Sequence, residues 1–490
     1  MEEAKRGKAK PLQVEDFSSH LHSYHRSNSQ LNEPLGAMEL PGQYGSDQPP
    51  EPNSHVLLDC LDSDLLVMVS MRAPKRVTFH GSDQKDSRFL VKGGEDLRLD
   101  ERVQLMFGVM NRALAANPQC RSRGLGMRTY KVMPLNDEVG IIEWMERTQP
   151  LKAVILGQVD PLNRGQTYDV ANAKAAEVYQ QLYHTPKKGT LYLPKMRTVA
   201  ADAIEKKLEE CKRKLPADLL ARGVAALSHS AESFLAMRAA FCRSLASLTV
   251  SSYVLGIGDR HLDNFMLDLS TGRVIGIDFG HAFGSATYQL LVPELMGVRL
   301  TRQMTSFLEP HSTSVLMRTH MVHTLTVLRE RRTDLMRVME VFLAEPLLDW
   351  EKQSRKLTDE QKRSLEEGDT QDSYSATPQS AASAVTSTSS GGGSVLLTKW
   401  TRDRLDGAKR KLDGGNSAFI TISEIKRSVQ PLVVTYRADI ENVVLGCQGS
   451  LRRSLSESGL SVDDQVDCLI EQATDGNILG RTYIGWAPWV

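Results

Sequence analysis

The sequence predicts an α+β protein of two lobes, the first rich in β-strands and the second mostly helical. Short alternating apolar runs, separated by turn residues, fill most of 56–143 around a single long helical pattern. From about residue 165 the apolar residues recur at helical spacing instead, and prolines punctuate the segments. The 490 residues leave enough chain for a large buried core and for two to four domains.

The first lobe is predicted over 56–143, after a polar segment, 1–55, that is rich in Pro, Ser, Gln and His and is expected to be irregular. Apolar spacing and turn residues indicate the helices and strands of this lobe. They predict strands at 56–58, 65–71, 76–79, 89–92, 129–133 and 140–142, with one helix over 95–116.

The second lobe is predicted over 144–365. Its helices are expected at 170–183, 199–214, 219–226, 231–255, 314–330 and 333–345, with a hairpin formed by 265–268 and 274–278. Residues 366–396 are acidic and then rich in Ser, Thr, Ala and Gly, too polar to bury a core, so a disordered insertion is predicted there. A helical region, 397–457, and a terminal segment, 458–490, follow.

Composition excludes several classes of protein. Lysine plus arginine equal aspartate plus glutamate, 60 of each, so net charge gives no reason to expect nucleic-acid or membrane binding by this chain. The six cysteines show no C-x-x-C spacing, which argues against zinc sites and a disulfide framework and favours a reducing, intracellular compartment. No apolar run reaches the roughly 18 residues of a membrane span, and the first residues do not form a signal peptide.

Two motifs indicate chemistry. The run G-D-R-H-L-D-N occupies 258–264, in the loop before the predicted hairpin, and I-D-F-G occupies 277–280, at its end. Phosphoryl-transfer enzymes need a carboxylate beside the attacking hydroxyl and oxygen ligands that hold Mg²⁺ against nucleotide phosphates. Asp259 is therefore the candidate base, and Asn264 and Asp278 are the candidate Mg²⁺ ligands. His261 is a second catalytic candidate, and the sequence leaves open whether it or Asp259 takes the proton.

This ordered pair of motifs resembles the phosphatidylinositol 3-kinase-related protein kinases, in which the histidine follows the aspartate. The resemblance implies a bilobal kinase fold that uses ATP and Mg²⁺. The final residues, from Gln465 to the ending G-R-T-Y-I-G-W-A-P-W, resemble the helical FATC segment that closes the giant protein kinases of this family. Apolar residues at 466, 469, 470 and 473 would form one face of its helix, and Trp486 and Trp489 would hold the tail against the lobe.

The nucleotide would also contact the first lobe. Lys92 ends an apolar strand and starts K-G-G-E-D-L-R-L-D, which is close to a pattern of the family and implies contact of this lysine with ATP. Glu95 and Asp100 are the candidate carboxylates that would hold it. A glycine-rich loop is missing upstream, and Ser70 with the backbone amides of 70–76 is expected to bind phosphate instead.

The predicted junction of the two lobes supplies the rest of the nucleotide site. By resemblance it is the hinge, where Glu143 and Met145 would present backbone groups to the adenine edge and Trp144 would stack on the ring.

The segment after Asp278 favours a protein substrate over a lipid. It contains no lysine or arginine before Arg299, so an anionic phosphoinositide head group would find no counter-charge there. The resemblance implies a Ser/Thr kinase that prefers Ser or Thr followed by Gln, nuclear localisation, and a role in double-strand-break repair by non-homologous end joining. The Ku heterodimer and DNA ends are implied as partners only for the full-length family protein.

Two alternatives stay open. One is a catalytically inactive ATP-binding fragment that acts in complex assembly, suggested by poor resemblance over 305–458 and by Gly297-Val298, where the family has a proline and an aromatic residue. The other is a phosphoinositide kinase.

Overall fold

The computed structural model describes residues 12–29, 37–44, 51–68, 70, 72–157, 168–183, 192–290, 292–309, 312–344, 392–428, 430–446 and 449–490. These residues divide into two compact units. The first is formed by Met1–Leu105 and Thr129–Glu146, and the second by Met106–Arg128 and Arg147–Val490.

The first unit is built on an antiparallel sheet. Its strands are β1 Leu58–Leu61, β2 Leu66–Val67, β3 Lys75–Gly81, β4 Asp86–Gly93, β5 Val132–Pro134 and β6 Val139–Glu143. They pair in the order β1-β3-β4-β6-β5, with β2 against the end of β3. Each strand prediction of the first lobe falls on or beside one of these strands, but β2 covers only two residues of the predicted 65–71.

The segment predicted to be irregular is partly ordered. Two short helices, α1 Ser19–Ser23 and α2 Arg26–Ser29, precede the sheet. Tyr24 and Leu40 pack in one apolar cluster with Leu58 of β1. Arg26 also pairs with Asp59 across 2.5 Å. The sequence missed this because isolated apolar residues in a polar segment leave no periodic signal, although each can fill a site on a sheet.

Helix α3, Arg98–Ala116, contributes residues to both units. The sequence assigned all of 95–116 to the first lobe. Its C-terminal part belongs instead to the second unit, because Leu114, Cys120 and Leu125 pack with Val327 in one buried cluster. Cys120 lies in helix α4, Pro118–Arg123.

The second unit is mostly helical. Its next elements are β7 Thr148–Pro150, α5 Leu151–Leu156, α6 Tyr168–Gln180, α7 Tyr192–Thr198, α8 Ala201–Lys212, α9 Leu219–Leu227, α10 Ala231–Leu255, β8 Phe265–Asp268, β9 Val274–Gly276, α11 Ser285–Gln289, α12 Arg302–Phe307, α13 Arg318–Glu330 and α14 Arg332–Ala344. Strands β7, β8 and β9 form a three-stranded antiparallel sheet. The predicted hairpin is thus β8 and β9, and both polar motifs flank it.

Helix α10 shows why some boundaries could be predicted. Ser230 caps its first turn by accepting the backbone N–H of Ser233, and Gly256 ends it at φ 61°. A hydroxyl N-cap and a left-handed glycine are the standard start and stop signals of a helix. Predicted and observed bounds, 231–255, coincide. The helix predicted over 314–330 instead starts as a π-helical segment, Ser312–Met317, before α13.

The chain ends in a further group of helices. They are α15 Gly392–Leu412, α16 Ser417–Lys426, α17 Pro431–Thr435, α18 Arg437–Leu445, α19 Leu451–Ser454, α20 Val462–Thr474 and α21 Gly476–Leu479. The predicted insertion, 366–396, lies outside the described residues up to 391, and its last five residues begin α15. Within the described parts of the chain, no helix is both long enough and apolar enough to cross a membrane.

Candidate active site

Arg260 holds the two polar motifs together. Its guanidinium is buried and donates to the carbonyls of Gly258 at 2.9 Å and Ile277 at 2.8 Å, and also to the carbonyl of Asp278. The backbone adds a further link, since Ile277 N–H donates to the Asn264 carbonyl at 3.1 Å. A planar guanidinium can satisfy several carbonyls at fixed angles, which a lysine cannot. The loop at 258–264 and the start of the segment at 277–280 are therefore fixed relative to each other.

Asp259 and Asp278 share an unusual backbone conformation. Asp259 has φ 55° and Asp278 has φ 58°, in the left-handed region that non-glycine residues rarely occupy. Such conformations cost about 1–2 kcal/mol and are commonly found where a side chain has to be aimed at a site. Asn264 is oriented as well, because its amide nitrogen donates to the Asp259 carbonyl at 2.8 Å. That contact leaves the amide oxygen as the part of the side chain able to act as a ligand.

Phe279 anchors the second motif. It is fully buried, meets Phe107 edge-on with ring centroids 5.5 Å apart, and lies under the Arg260 guanidinium at 5.3 Å. Asp278, by contrast, is exposed. The motif therefore presents a carboxylate to solvent directly beside a ring that cannot move without disturbing the core.

His261 caps the short 3₁₀ turn Leu262–Asn264. Its Nδ1 accepts the backbone N–H of Asp263 at 3.3 Å, so a neutral ring carries its proton on Nε2. Asp263 itself pairs with Lys152 across 2.8 Å. His261 and Asp259 both line one cavity of about 540 Å³, together with 289–290, 292–296, 482–483 and 485–486. The two catalytic candidates thus face the same space in the second unit.

The lysine predicted to bind ATP lies in the first unit, on strand β4. Lys92 Nζ is 3.0 Å from the Glu95 carboxylate, the nearer in sequence of its two candidate partners. Glu95 also pairs with Arg72. Asp100, the other candidate, is buried in the first turn of α3. Ser70 is exposed, and its carbonyl accepts the backbone N–H of Ala73 at 3.2 Å in a turn between strands.

The predicted hinge residues lie at the end of β6 (Glu143) and directly after it (Trp144 and Met145). The Glu143 carboxylate accepts the backbone N–H of Lys131 at 2.9 Å and is therefore engaged within the sheet, while its backbone pairs with the same residue. Trp144 is half-buried, with the Arg76 guanidinium 5.3 Å from its ring. Met145, also half-buried, follows it. Adenine contact by these residues stays a prediction.

Sequence reasoning missed three residues around Asp259. The Trp486 indole N–H donates to the Asp259 carboxylate at 3.4 Å, and Glu294 accepts the Asp259 backbone N–H at 2.5 Å. The carbonyl of His281 accepts the Gly258 N–H at 2.8 Å. Burial lowers the pKa of His281, although Asp259 and Asp278 nearby oppose that shift. Trp486 and Glu294 are 227 and 35 residues from Asp259 in the chain, so no local spacing reveals these contacts.

The terminal segment packs as predicted. Both tryptophans are buried, and the Trp489 indole N–H donates to Asn172 at 2.9 Å. Trp486 lies under the Arg299 guanidinium at 5.3 Å, and Arg299 donates to the Trp486 carbonyl at 2.9 Å. On helix α20, Val466, Leu469 and Ala473 are buried as expected, while Ile470 is only half-buried. Gln465 and Gln472 are also buried on this helix.

The donor set fits magnesium with a nucleotide. Asn264 and Asp278 offer one amide and one carboxylate oxygen, the hard ligands that Mg²⁺ prefers, and such sites take their remaining ligands from phosphates and water. No group of three or more His, Cys, Asp or Glu in the described residues could hold a metal ion.

Comparisons with known proteins give the family. A model of phosphatidylinositol 3- and 4-kinases matches residues 86–352, and a model of the FATC domain matches 459–490. The chain is 39% identical over 489 residues to the DNA-dependent protein kinase catalytic subunit of Dictyostelium discoideum, a match that covers 97% of this chain and 11% of that protein. The corresponding mouse protein is 38% identical, with 92% of this chain and 10% of that protein covered.

More distant relatives agree. The serine/threonine-protein kinase TOR of Oryza sativa is 31% identical over 64% of this chain and 12% of its own length. A solved structure, the FAT and kinase domain of CtTel1, has the same fold, with a TM-score of 0.60 and 21% identity over 92% of this chain and 25% of that chain. The chain spans about a tenth of the length of the DNA-dependent protein kinase relatives. The chain belongs to the phosphatidylinositol 3- and 4-kinase family and, with its FATC domain, to the phosphatidylinositol 3-kinase-related kinases within it.

Proposed function

We propose that this chain is an ATP- and Mg²⁺-dependent Ser/Thr protein kinase that transfers the γ-phosphate to Ser or Thr, with preference for a following Gln. The observation that carries the proposal is the Arg260 network, which binds the loop carrying Asp259 and Asn264 to the carbonyls at Ile277 and Asp278. Family membership supports the reaction class. The preference for Gln rests on resemblance to the family alone.

Each residue has a defined task in this proposal. Asp259 accepts or orients the proton of the substrate hydroxyl, and His261 on the same cavity shares that task or stabilises charge on the transferred group. Asn264 and Asp278 would hold Mg²⁺, whose chemistry is to neutralise the charge on the nucleotide phosphates. Lys92, held by Glu95, would contact the nucleotide phosphates. Ser70 with neighbouring backbone amides, Asp100 and the hinge residues 143–145 complete the proposed ATP site.

A protein substrate is favoured over a lipid by one further contact. Arg299, the first cation after Asp278, is buried and donates to the Trp486 carbonyl. It is therefore not available to a phosphoinositide head group. The preceding segment, 279–298, has no lysine or arginine at all.

Biological context is carried over from the relatives as part of the same proposal. The names of these relatives support a kinase that depends on DNA. Double-strand-break repair by non-homologous end joining and a nuclear location are proposed from the family resemblance alone. DNA ends and the Ku heterodimer are proposed as partners of the full-length family protein only, since the net charge of this chain is zero.

The test is phosphate transfer by the purified chain with labelled ATP and Mg²⁺. The substrates are a Ser-Gln peptide, a matched Ser-Ala peptide and phosphoinositide vesicles. We expect label on the Ser-Gln peptide, at least tenfold less on the Ser-Ala peptide, and none on the lipid. Asp278→Ala should abolish phosphate transfer. Asp263→Ala, which changes a nearby carboxylate that pairs with Lys152, should keep most of the transferase activity.

The other outcomes identify the alternatives. ATP binding by equilibrium dialysis without transfer to any substrate, also with DNA ends present, would select the inactive ATP-binding fragment. Label on vesicles but not on peptide would select a phosphoinositide kinase. Equal labelling of the two peptides would refute only the Gln preference.

A further inference from the structure

The Glu294 carboxylate makes a direct contact with the catalytic loop. Its Oε1 accepts the backbone N–H of Asp259 at 2.5 Å. A Cβ atom on Gly258 would lie 2.7 Å from Glu294 Oε2 and 2.3 Å from the Ala286 methyl, closer than real contacts. Only glycine at 258 therefore lets this carboxylate reach the loop.

The hydrogen bond to Glu294 is made by a residue with a strained backbone. Asp259 has φ 55°, and an unfavourable backbone conformation persists only where surrounding bonds hold it. Two hydrogen bonds hold the Asp259 backbone. Its carbonyl accepts the Asn264 side-chain N–H, and its N–H donates to Glu294. Loss of the Glu294 bond would leave the N–H of a half-buried residue without this acceptor and relax the conformation that aims its carboxylate.

The position of Glu294 is itself set by the terminal segment. The next residue, Leu295, is buried, and its carbonyl accepts the Gln472 side-chain N–H at 2.7 Å. Gln472 lies fully buried on helix α20 and also donates to Thr421 at 3.1 Å. A buried amide that satisfies a specific carbonyl fixes the register of the segment that carries it.

We propose that Glu294 is a positioning residue that holds Asp259 in its left-handed conformation, and that Gln472 couples the FATC helix to the catalytic loop through it. The expected effect on kcat rests on the proposed function. The expected effect on the conformation of Asp259 rests on the hydrogen bonds alone. Glu294 touches no reacting atom and acts through the Asp259 backbone.

The charge state of Glu294 follows from its surroundings. Burial raises the pKa of its carboxyl group to about 8, although the hydrogen bond from the Asp259 N–H opposes that shift. The Asp259 and Glu424 carboxylates raise the pKa further, and Arg260 lowers it. Arg299 also interacts with this carboxyl group, and His261 and Tyr483 line the same cavity. At pH 7 Glu294 is mainly neutral, and above pH 8 its charge adds to that of Asp259.

The kinetic test compares Glu294→Ala with Glu294→Gln in the whole chain. The glutamine keeps an oxygen that can accept the Asp259 N–H but cannot ionise. We expect Glu294→Ala to lower kcat at least 30-fold with the KM for ATP within twofold. Glu294→Gln should stay within threefold of the parent at pH 7. Glu209→Ala, which removes an exposed surface carboxylate, should change neither constant.

Hydrogen exchange gives a second measure that needs no activity. The amide of Asp259 should exchange at least tenfold faster in Glu294→Ala than in the parent, and Gln472→Leu should have the same effect with intact Glu294. Parental exchange and kcat in Glu294→Ala would overturn the proposal. A parent chain without transferase activity would refute the proposed function, and the exchange of the 258–264 peptide would still decide the role of Glu294.

Discussion

Replacement of Arg260 by methionine tests the central feature of the site. Methionine has a similar length and stays apolar, so the change removes the hydrogen bonds and leaves most of the packing. The lost bonds run to the carbonyls of Gly258 at 2.9 Å, Ile277 at 2.8 Å and Asp278. Hydrogen bonds to a charged donor contribute about 1.5–3 kcal/mol each, but their effects do not add within one network.

The expected loss of stability is therefore smaller than the sum of three bonds. Asp278 is exposed, so its carbonyl can regain water, whereas the carbonyl of buried Gly258 cannot do so easily. We expect a loss of about 3–5 kcal/mol, as for other buried charged groups that lose their partners. At about 2 °C per kcal/mol for a large domain, the Tm of the second unit should fall by about 6–10 °C.

The effect on kcat should be larger than stability alone explains. Freed from Arg260, the 258–264 loop can shift relative to Asp278, and a displacement of about 1 Å can cost a hundredfold in rate. We expect kcat at a temperature well below the new Tm to fall by about 100-fold or more. The assays are calorimetry and Ser-Gln peptide phosphorylation on the same sample.

A surface arginine provides the control. Arg222 pairs with Asp218 one turn earlier at 2.9 Å, and both side chains are more than 40% exposed, so Arg222→Met should cost less than about 0.5 kcal/mol and leave kcat unchanged. If Arg260→Met keeps kcat within twofold and Tm within 1 °C, the network does not hold the site. A lower Tm with parental kcat would assign Arg260 to stability alone.

Three further changes have expected outcomes. Burial, with nearby cations, lowers the pKa of His320 to about 4, so below pH 6.5 the unfolded chain binds more protons than the folded one. The free energy of unfolding should therefore fall by about 2 kcal/mol from pH 7 to pH 5. In urea titrations His320→Gln should show no such fall. Trp489→Phe removes the N–H that Asn172 accepts at 2.9 Å and should cost about 1–3 kcal/mol, against about 3–5 kcal/mol for Trp489→Ala, both measured by denaturant unfolding. Glu95→Gln removes the charge 3.0 Å from Lys92 and should raise the KM for ATP about tenfold, the effect of about 1.4 kcal/mol of lost binding; an unchanged KM in ATP titrations would show that Lys92 does not depend on this partner.

Elements with strong local signals could be predicted from the sequence. Helix α10 has a serine N-cap and a glycine at its end, and strands β8 and β9 are short apolar runs on either side of Ser270-Thr271-Gly272. The order of the two polar motifs identified Asp259 and Asp278 as candidates directly, because both motifs flank one short hairpin and lie close together in the sequence.

Contacts between distant parts of the chain could not be predicted in this way. Nothing in the spacing of residues indicates that the Trp486 indole reaches Asp259, or that Gln472 supports the segment that carries Glu294. Helical periodicity marked the apolar residues of α20 and carries no signal for its glutamines. Gln465 and Gln472 are buried because each donates to carbonyls of other elements, which only the tertiary structure supplies.

The departure from the family at Gly297 can now be judged on its packing. A Cβ atom there would lie 3.1 Å from the Tyr253 ring and 3.5 Å from Leu469, so the glycine fills a site between α10 and the FATC helix that has little room for a side chain. Two residues later Arg299 still donates to the Trp486 carbonyl. The segment therefore contacts the terminal segment without the proline of the family pattern. Because the change lies at this packing site, while Asp259 and the other motif residues are intact, Gly297 gives no physical reason to favour an inactive chain.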